Sequence, residues 1–364
     1  MLRDDYLDLP VYGLADAEKR AVLEPALCAL TAWHNDRCAP YARILHARQY
    51  HAHDRMQLEE IPFLPVRLFK HHRLASVPDT EIIKELTSSG TSSQQVSRIL
   101  LDQTNARMQS RALVLILQQF LGKARLPMLI IDHDASGADR QSLSARRAGI
   151  AGVGLFGRNH TYALRPDMSL DHAAVDAFLA AHGDEPFLMF GFTFMVWQYF
   201  YRVLHDAERL GRFGNAILIH GGGWKKLQDV AVSNTEFRRT LGQTLGISRI
   251  HDYYGMVEQV GSIFMECEHG RLHTPSYADV IIRHPGDWTP TAKEEQGLIQ
   301  VLSLLPTSYP GHSLLTEDLG RWLGVDDCPC GRLGKTFAVQ GRLPRAELRG
   351  CSDTFTPRAE GKQP

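Results

Sequence analysis

The hydrophobic pattern of the chain alternates between two periods. Apolar residues recur at helical spacing in residues 105–121, 171–182 and 194–210. Short continuous apolar runs, which are typical of strands buried on both faces, occupy residues 128–132, 216–220 and 298–305. Because strands that alternate with helices usually pair in parallel, the pattern predicts an α/β core with a parallel sheet.

Local signals indicate where these elements begin and end, and where the pattern changes. Gly122 and Gly183 are expected to end the first two helices, and Ser169 is a candidate N-cap for the second. After about residue 260, short strand-like pieces, turns, Gly and Pro dominate the sequence. This change predicts an antiparallel subdomain from about residue 262.

The composition is that of an ordinary globular protein. The 364 residues are 44% hydrophobic and carry a formal net charge of -1, so we expect a large core and neither nucleic acid nor an anionic membrane as a partner. No segment approaches the roughly 20 apolar residues of a membrane span, and the N-terminus lacks the apolar stretch of a secretory signal. We therefore expect a cytoplasmic protein whose six cysteines are thiols or metal ligands.

A run of hydroxyl side chains around one glycine is the first candidate site. Ser88, Ser89, Thr91 and Ser92 flank Gly90 in the stretch ELTSSGTSSQQ. Small hydroxyl and backbone donors can surround phosphate oxygens here, because glycine lets the backbone approach a ligand. The stretch lacks the GKS or GKT of a P-loop, and taken alone it fits a polar surface loop better.

Three consecutive glycines, Gly221, Gly222 and Gly223, follow directly after the predicted strand 216–220. Bare backbone at the end of a strand can accept a planar ligand or a phosphate. The alternative is a tight turn from strand to helix, although such a turn needs one glycine rather than three. The spacing does not match the glycine pattern of dinucleotide-binding folds.

The stretch HDYYGMVEQVG, residues 251–261, combines aromatic and acidic groups. Tyr253 and Tyr254 precede Gly255, and Glu258 follows. Aromatic rings suit a purine, and a carboxylate suits the metal ion that accompanies a bound phosphate. A single glutamate is otherwise most often a solvated helix residue.

Two charged residues in the C-terminal part extend this set. Asp318 lies in LLTEDLGRW, and Arg342 lies in VQGRLPR. A carboxylate can accept hydrogen bonds from both hydroxyls of a ribose, and a guanidinium can neutralise phosphate charge. A salt bridge at the surface is the alternative for each residue.

Four residues have the ligand types of a tetrahedral zinc site. Cys267 and His273 lie in ECEHGRLH, and Cys328 and Cys330 lie in DDCPCGRLG. Four ligands of these types are typical of structural zinc, although the two pairs are far apart in the sequence. The alternative is that the four are packed side chains without a metal.

Two further segments allow both a functional and a structural interpretation. The aromatic stretch FGFTFMVWQYF, residues 190–200, could line a tunnel for a fatty or aryl acid, or it could be a core helix. Lys70, in FLPVRLFKHHRL, could lie at the mouth of an active site or on a surface helix. Both alternatives stay open for each segment.

The order of the motifs resembles that of acyl-adenylate-forming enzymes. A hydroxyl loop, a glycine triplet, YG-x-x-E, T-x-D and GR follow one another along the chain. The resemblance is strongest to the group that contains LuxE and the phenylacetate–coenzyme A ligases. The stretches that carry it are IPFLPVRLFK (61–70), SSGTSS (88–93), FGFTF (190–194), YYGMVE (253–258), LHTPSYADVIIR (272–283) and ELRGCS (347–352).

The resemblance implies a fold and its organisation. It implies an α/β adenylate-forming domain over residues 1–341, with stacked sheets and an antiparallel subdomain, and a short tail over residues 342–364. The mobile C-terminal domain of larger relatives is expected to be absent. The chain departs from the usual motifs at Ser93 and Val257, and no lysine follows the hydroxyl loop.

The resemblance also implies ATP-dependent activation of a carboxylic acid, fatty or aryl, followed by transfer to a thiol. The implied roles are phosphate binding for the loop of residues 88–93 and for Arg342, adenine contact for Gly222, Gly223 and Tyr254, Mg²⁺ binding for Glu258 and ribose binding for Asp318. Cys351, in LRGCSDT, is the candidate acceptor thiol, because a neighbouring cation favours the thiolate, and it would pass the acyl group on to a partner protein. Two alternatives remain: coenzyme A or a carrier protein accepts the acyl group directly, or the chain binds nucleotide without catalysis.

Overall fold

The computed structural model of the chain describes residues 5–51, 55–88, 96–134, 145–224 and 231–343. The α-helices within these ranges are α1 (Asp16–Arg37), α2 (Ala39–Ala47), α3 (Leu68–His71), α4 (Gln103–Leu121), α5 (Ala145–Gly154), α6 (His172–His182), α7 (Thr193–Met195), α8 (Arg202–Asp206) and α9 (Asn234–Leu245). A π-helix, Val196–Tyr201, joins α7 to α8, and 3-10 helices cover Asp5–Asp8, Leu58–Glu60, Asp79–Glu81 and Val257–Gln259. None of the helices in these ranges is long and apolar enough to cross a membrane.

The described strands fall into one large sheet and one small one. They are β1 (Leu64–Pro65), β2 (Lys84–Thr87), β3 (Arg98–Leu101), β4 (Leu126–His133), β5 (Gly157–Leu164), β6 (Phe187–Phe192), β7 (Ala216–Gly221), β8 (Arg249–Tyr254), β9 (Phe264–Glu266), β10 (Leu272–His273), β11 (Ala278–Arg283), β12 (Gly297–Ser303), β13 (Ser313–Val325) and β14 (Lys335–Arg342). The large sheet has 12 strands in the order β11-β12-β13-β14-β10-β9-β8-β7-β6-β4-β5, with β1 paired to β13. Strands β2 and β3 pair separately.

The large sheet joins a parallel region to an antiparallel region. Strands β4 to β8 pair in parallel, as their alternation with helices predicted. Strands β9 to β14 pair with one another antiparallel. The junction is β8, where Tyr253 and Tyr254 pair antiparallel with Met265 and Phe264. The antiparallel region expected from the sequence therefore belongs to the same hydrogen-bonded sheet as the parallel region.

Helices cover both faces of the parallel region. In β4, Met128 and Ile130 belong to the core that includes α4, whereas Leu129 and Ile131 belong to the core that includes α6. Successive side chains of a strand point to opposite faces. The sequence of β4 is therefore a continuous apolar run, because neither face of the strand is exposed to water.

The predicted helix ends are confirmed at two glycines and wrong at one cap. Gly122 ends α4 with a φ of 76°, and Gly183 ends α6. The N-cap of α6 is Asp171 rather than Ser169, since the Asp171 carboxylate accepts a hydrogen bond from the N–H of Ala174 at 3.1 Å. Both residue types cap helices well, so composition did not distinguish them.

Candidate active site

The carboxyl ends of β6, β7 and β8 meet at one edge of the sheet, because these strands run in parallel. Phe192, Gly221 and Tyr253 are register partners at this edge. In open α/β sheets, ligands bind at the carboxyl edge near the point where the strand order reverses. That point lies between β4 and β6, and β7 is the next strand beyond β6. The glycine triplet and the YYG stretch therefore share an edge that is suited to a ligand.

The three glycines of the triplet have different surroundings. A Cβ atom on Gly221 would lie 2.5 Å from the Tyr253 ring, so a larger residue does not fit without displacement of that ring. The hydroxyl oxygen of the same ring lies 3.5 Å from the position that a Cβ atom on Gly149, in α5, would take. Gly222 has a φ of +78°, a conformation that favours glycine, and a Cβ on Gly223 would meet open space. Gly221 is thus required for packing, whereas Gly223 leaves room for a ligand.

Tyr254 faces the opposite side of β8 from Tyr253, because strand side chains alternate. Its hydroxyl donates to Asp318 Oδ2 at 2.8 Å, and Arg342 Nε donates to Asp318 Oδ1 at 2.9 Å. Asp318 and Arg342 are register partners on β13 and β14. Burial and the Asp318 carboxylate raise the pKa of Tyr254 well above its usual value, so the hydroxyl keeps its proton. The structure therefore presents a carboxylate with one donor on each oxygen.

Glu258 lies close to this group in the 3-10 helix Val257–Gln259, and it is only 7% exposed. The Tyr309 hydroxyl donates to the backbone carbonyl of Glu258 at 2.9 Å and fixes that turn. Burial raises the pKa of Glu258, while the hydroxyl of Ser97 and the charges of Lys70 and Arg342 act in the opposite direction. A bound cation would remove much of the cost of ionising this carboxylate.

The base of the hydroxyl loop lies beside Glu258. The N–H of Ser88 donates to the Ser97 carbonyl at 3.2 Å, and the N–H of Ser97 donates to Ser88 Oγ at 2.9 Å. These two bonds bring the ends of the loop together next to the acidic group. Four residues of the predicted loop, Ser89, Gly90, Thr91 and Ser92, lie outside the described residues, and so does Cys351.

A polar network behind the glycine triplet was not predicted. His220 Nδ1 lies 2.9 Å from Thr193 Oγ1 and 3.7 Å from the Asp252 carboxylate. Glu266 accepts the N–H of Asp252 at 3.2 Å and pairs with Arg238 at 2.9 Å. Burial lowers the pKa of His220 to about 3, and burial together with Glu266 raises that of Asp252. The available signal in the sequence was a polar residue that follows apolar residues of a strand, His220 in AILIH and Asp252 in IHD.

The four candidate zinc ligands lie together in the antiparallel region. Cys267 follows β9, His273 ends β10, and Cys328 and Cys330 lie between β13 and β14. Cys267 Sγ is 3.7 Å from Cys328 Sγ, Cys330 Sγ is 3.3 Å from His273 Nε2, and the four ligand atoms lie within 4.8 Å of one another. Tetrahedral zinc with bonds of about 2.0–2.3 Å separates its ligand atoms by about 3.5–3.8 Å. The cluster can therefore hold one ion.

The surroundings act differently on the three thiols of the cluster, because burial raises the pKa of Cys267 and Cys328. The N–H of His269 donates to Cys267 Sγ at 3.4 Å. Partial burial opposes ionisation of Cys330, but the N–H groups of Arg332 lower its pKa. Nε2 of His273 faces the Cys330 thiol. Within the described residues, Nδ1 of the same ring is buried without a hydrogen-bond partner. Thiolate and neutral imidazole are the forms that bind zinc.

The aromatic stretch 190–200 divides between core and surface. Its phenylalanines Phe190, Phe192, Phe194 and Phe200 are buried. Trp197 is half-buried and packs against Phe237 and Trp224, at centroid distances of 5.7 and 5.8 Å. Because Trp224 directly follows the glycine triplet, this half-buried aromatic surface adjoins the candidate site.

Comparison with known proteins identifies the family. A family model described as "Acyl-protein synthetase, LuxE" matches residues 4–359. The chain belongs to the LuxE family. This LuxE-family chain is 24% identical over 312 residues to the long-chain-fatty-acid–luciferin-component ligase of Aliivibrio fischeri, which covers 81% of this chain and 78% of the relative. The ligase of the same name from Vibrio harveyi is 22% identical over 321 residues, with 84% and 80% covered.

Solved structures confirm the predicted adenylate-forming fold. An open conformation of 2-hydroxyisobutyryl-CoA ligase, in complex with 2-HIB-AMP and CoA, superposes with a TM-score of 0.70 at 18% identity, and the match covers 96% of the LuxE-family chain and 79% of the ligase. The postadenylation state of that ligase, in complex with R3-HIB-AMP, gives a TM-score of 0.69 at 17% identity, with 91% and 69% covered. At this identity the likeness establishes the fold.

Proposed function

We propose that the protein activates a carboxylic acid with ATP as acyl-AMP and transfers the acyl group to a thiol. The observation that carries the proposal is the contact of Tyr254 and Arg342 with Asp318, at the sheet edge that holds the glycine triplet, in a chain of the LuxE family. The relatives from Aliivibrio fischeri and Vibrio harveyi are named as ligases of long-chain fatty acids. A long-chain fatty acid is therefore the substrate we propose, with the aromatic surface at Trp197 as its wall.

The chemistry explains why ATP is needed. A carboxylic acid does not react with a thiol, because hydroxide is a poor leaving group. In the first step, a carboxylate oxygen bonds to the α-phosphorus, and the bond to the bridging oxygen breaks, so pyrophosphate leaves with the electron pair. In the second step, a thiolate attacks the acyl carbon and AMP leaves. The protein contributes positioning and charge stabilisation to both steps.

Asp318 is the proposed ribose ligand. Each of its oxygens has one donor, from Tyr254 or Arg342, and a carboxylate offers about four acceptor sites. Acceptor sites therefore remain for the two ribose hydroxyls, and the existing contacts fix the carboxylate in advance. Adenine is proposed to lie along Gly222 and Gly223 towards Tyr254, since a Cβ on Gly223 would meet open space.

Glu258 is the proposed Mg²⁺ ligand. Its burial makes an uncompensated charge costly, and its carboxylate is of the type that Mg²⁺ prefers. When bound there, Mg²⁺ would neutralise negative charge on the phosphate groups whose linking phosphorus–oxygen bond breaks. The hydroxyl loop that begins at Ser88 is proposed to hold the departing phosphates, because its base lies beside Glu258.

Exchange of labelled pyrophosphate into ATP tests the first step. We expect exchange only when an acid is present, with long-chain fatty acids preferred over short and aryl acids. A protein that binds ATP but catalyses no exchange with any acid of such a panel would support the non-catalytic alternative instead.

The acceptor thiol can be assigned by labelling. Cys351 is proposed as the acceptor on its sequence context, and coenzyme A is the alternative that the complex of 2-hydroxyisobutyryl-CoA ligase suggests. Incubation with labelled acid and ATP should give a hydroxylamine-labile label on the wild-type chain and none on Cys351→Ser. Full labelling of Cys351→Ser would overturn the assignment, and acyl-CoA formed upon addition of coenzyme A would favour an acceptor in trans.

A structural zinc ion is a second proposal, supported by the spacing of the four ligand atoms. Cys267, His273, Cys328 and Cys330 come from three separate segments of the antiparallel region, so one ion would join them. Native mass spectrometry should find one zinc per chain, and Cys328→Ser should lose it. Cys28→Ser, which lies outside the cluster, is the control and should keep it. A stable wild-type chain without metal would contradict the proposal.

A further inference from the structure

A short helix, α3, begins beside the proposed ribose site. Immediately before it, β1 pairs with β13 in the register Leu64↔Leu314. Arg67 then binds Glu317 at 2.7 Å, and Glu317 directly precedes Asp318. The start of α3 is therefore attached to the strand that carries the proposed ribose ligand.

The same helix ends beside the proposed Mg²⁺ ligand. Phe69 is 1% exposed and packs edge-to-face on Tyr309, with the ring centroids 5.9 Å apart. Tyr309 in turn donates to the backbone carbonyl of Glu258. Lys70 follows Phe69, is half-buried, and its positive charge acts on the Glu258 carboxylate. Helix α3 thus spans the interval between Asp318 and Glu258.

The location of α3 between Asp318 and Glu258 indicates which group of ATP the Lys70 side chain would contact. In ATP the α-phosphate lies between the ribose and the β-phosphate. With the ribose at Asp318 and the metal ion at Glu258, the α-phosphate would lie between these two carboxylates. Arg342 binds Asp318 on the ribose side and its charge also acts on Glu258, whereas Lys70 approaches Glu258 from α3.

The reaction needs positive charge at this point. ATP carries about four negative charges, of which Mg²⁺ compensates about two, and the attacking carboxylate adds about one more. An anionic nucleophile must therefore approach an anionic phosphate. A fixed cation that contacts the phosphate lowers the barrier, because it stabilises the charge that builds up in the transition state.

We propose that the Lys70 ammonium binds the α-phosphate oxygens of ATP and stabilises the charge that develops when the carboxylate attacks. Lys70 transfers no proton: the oxygen–phosphorus bond to the acid forms, the bond to pyrophosphate breaks, and the electron pair leaves with pyrophosphate. This role rests on the proposed adenylation. It identifies a catalytic cation in the N-terminal part of the chain, upstream of the hydroxyl loop.

Two substitutions at Lys70 separate charge from packing. Lys70→Met keeps most of the side-chain length and removes the charge, and Lys70→Arg keeps the charge. We expect Lys70→Met to lower kcat for pyrophosphate exchange by about 10²–10³-fold, with a much smaller change in KM for ATP, and Lys70→Arg to restore a large part. Arg73→Met, three residues further along and paired with the exposed Asp79 at the surface, is the matched control and should exchange at close to the wild-type rate.

The outcomes distinguish this inference from the function on which it rests. If the wild-type chain exchanges with no acid, the adenylation proposal fails. If the wild type exchanges and Lys70→Met matches it, only the role of Lys70 is overturned. If Lys70→Met also loses thermal stability, Lys70→Arg decides: a stable Arg variant with the low rate of the Met variant contradicts the charge role, and a recovered rate supports it.

Discussion

Replacing Asp318 by asparagine removes the charge at the centre of the proposed nucleotide site while keeping the size of the side chain. Asparagine offers one carbonyl oxygen and one NH₂ group in place of two acceptor oxygens. Both Tyr254 and Arg342 donate to Asp318. One of these two donors must therefore lose its acceptor, and the ribose hydroxyls lose a charged partner.

The size of the effect follows from the two kinds of hydrogen bond. A hydrogen bond to a charged group contributes about 1.5–3 kcal/mol and one between neutral groups about 0.5–1.5 kcal/mol. Weakening two ribose contacts to Asp318 in this way costs about 2–3 kcal/mol, and each 1.4 kcal/mol is about tenfold. We therefore expect kcat/KM for ATP to fall by about 30- to 150-fold.

Nucleotide analogues make the test specific for the ribose. Pyrophosphate exchange should be measured with ATP, 2′-deoxy-ATP and 3′-deoxy-ATP. The wild type should discriminate against each analogue, whereas Asp318→Asn should discriminate much less, because the partner of the missing hydroxyl is already weakened. Glu317→Gln is the control, since the neighbouring carboxylate binds Arg67 instead. If Asp318→Asn discriminates as strongly as the wild type, the ribose does not bind Asp318.

Three other substitutions test separate parts of the structure. Glu258→Ala should lower Mg²⁺-dependent pyrophosphate exchange by at least about 10²-fold, and a rate near that of the wild type would rule out its metal role. Gly221→Ala places a Cβ 2.5 Å from the Tyr253 ring, so urea denaturation should show a loss of about 1–3 kcal/mol in the free energy of unfolding, and an unchanged midpoint would contradict that packing. Burial lowers the pKa of His312 to about 3, so the unfolded chain takes up a proton below pH 6.5 that the folded chain does not, and stability falls by about 1.4 kcal/mol per pH unit as the pH decreases from there. His312→Gln should reduce this slope and the exposed-site control His46→Gln should not; equal slopes in both variants would contradict the assignment.

The hydrophobic pattern predicted the elements that are buried on well-defined faces. The runs 128–132 and 216–220 lie within β4 and β7, and the helix 105–121 lies within α4. The segment 194–210 was predicted as one helix, but it contains the π-helix Val196–Tyr201 and ends at Asp206. Nothing in its composition signals the extra residue per turn, because all its aromatic residues suit either helix type.

The residues of the candidate site that belong to sequence motifs could be predicted. The contacts that depend on strand register could not. Asp318 and Arg342 were identified separately, and the structure supplies the reason for their contact, since they are register partners. The network of His220, Asp252 and Glu266 depends on how β7, β8 and β9 align, which no local pattern specifies. The roles of Ser89–Ser92 and Cys351 stay predictions from the sequence.

The position of an oxygen isotope tests the central claim, adenylation of an acid, most directly. The wild-type chain should be incubated with ATP, Mg²⁺, a thiol acceptor and a long-chain fatty acid whose carboxylate carries ¹⁸O, and the nucleotide product should be analysed by mass spectrometry. Because the acid oxygen bonds to the α-phosphorus and stays there when the thioester forms, the account predicts AMP that contains one ¹⁸O atom. Release of ADP, or of AMP without ¹⁸O while acyl thioester accumulates, would contradict it.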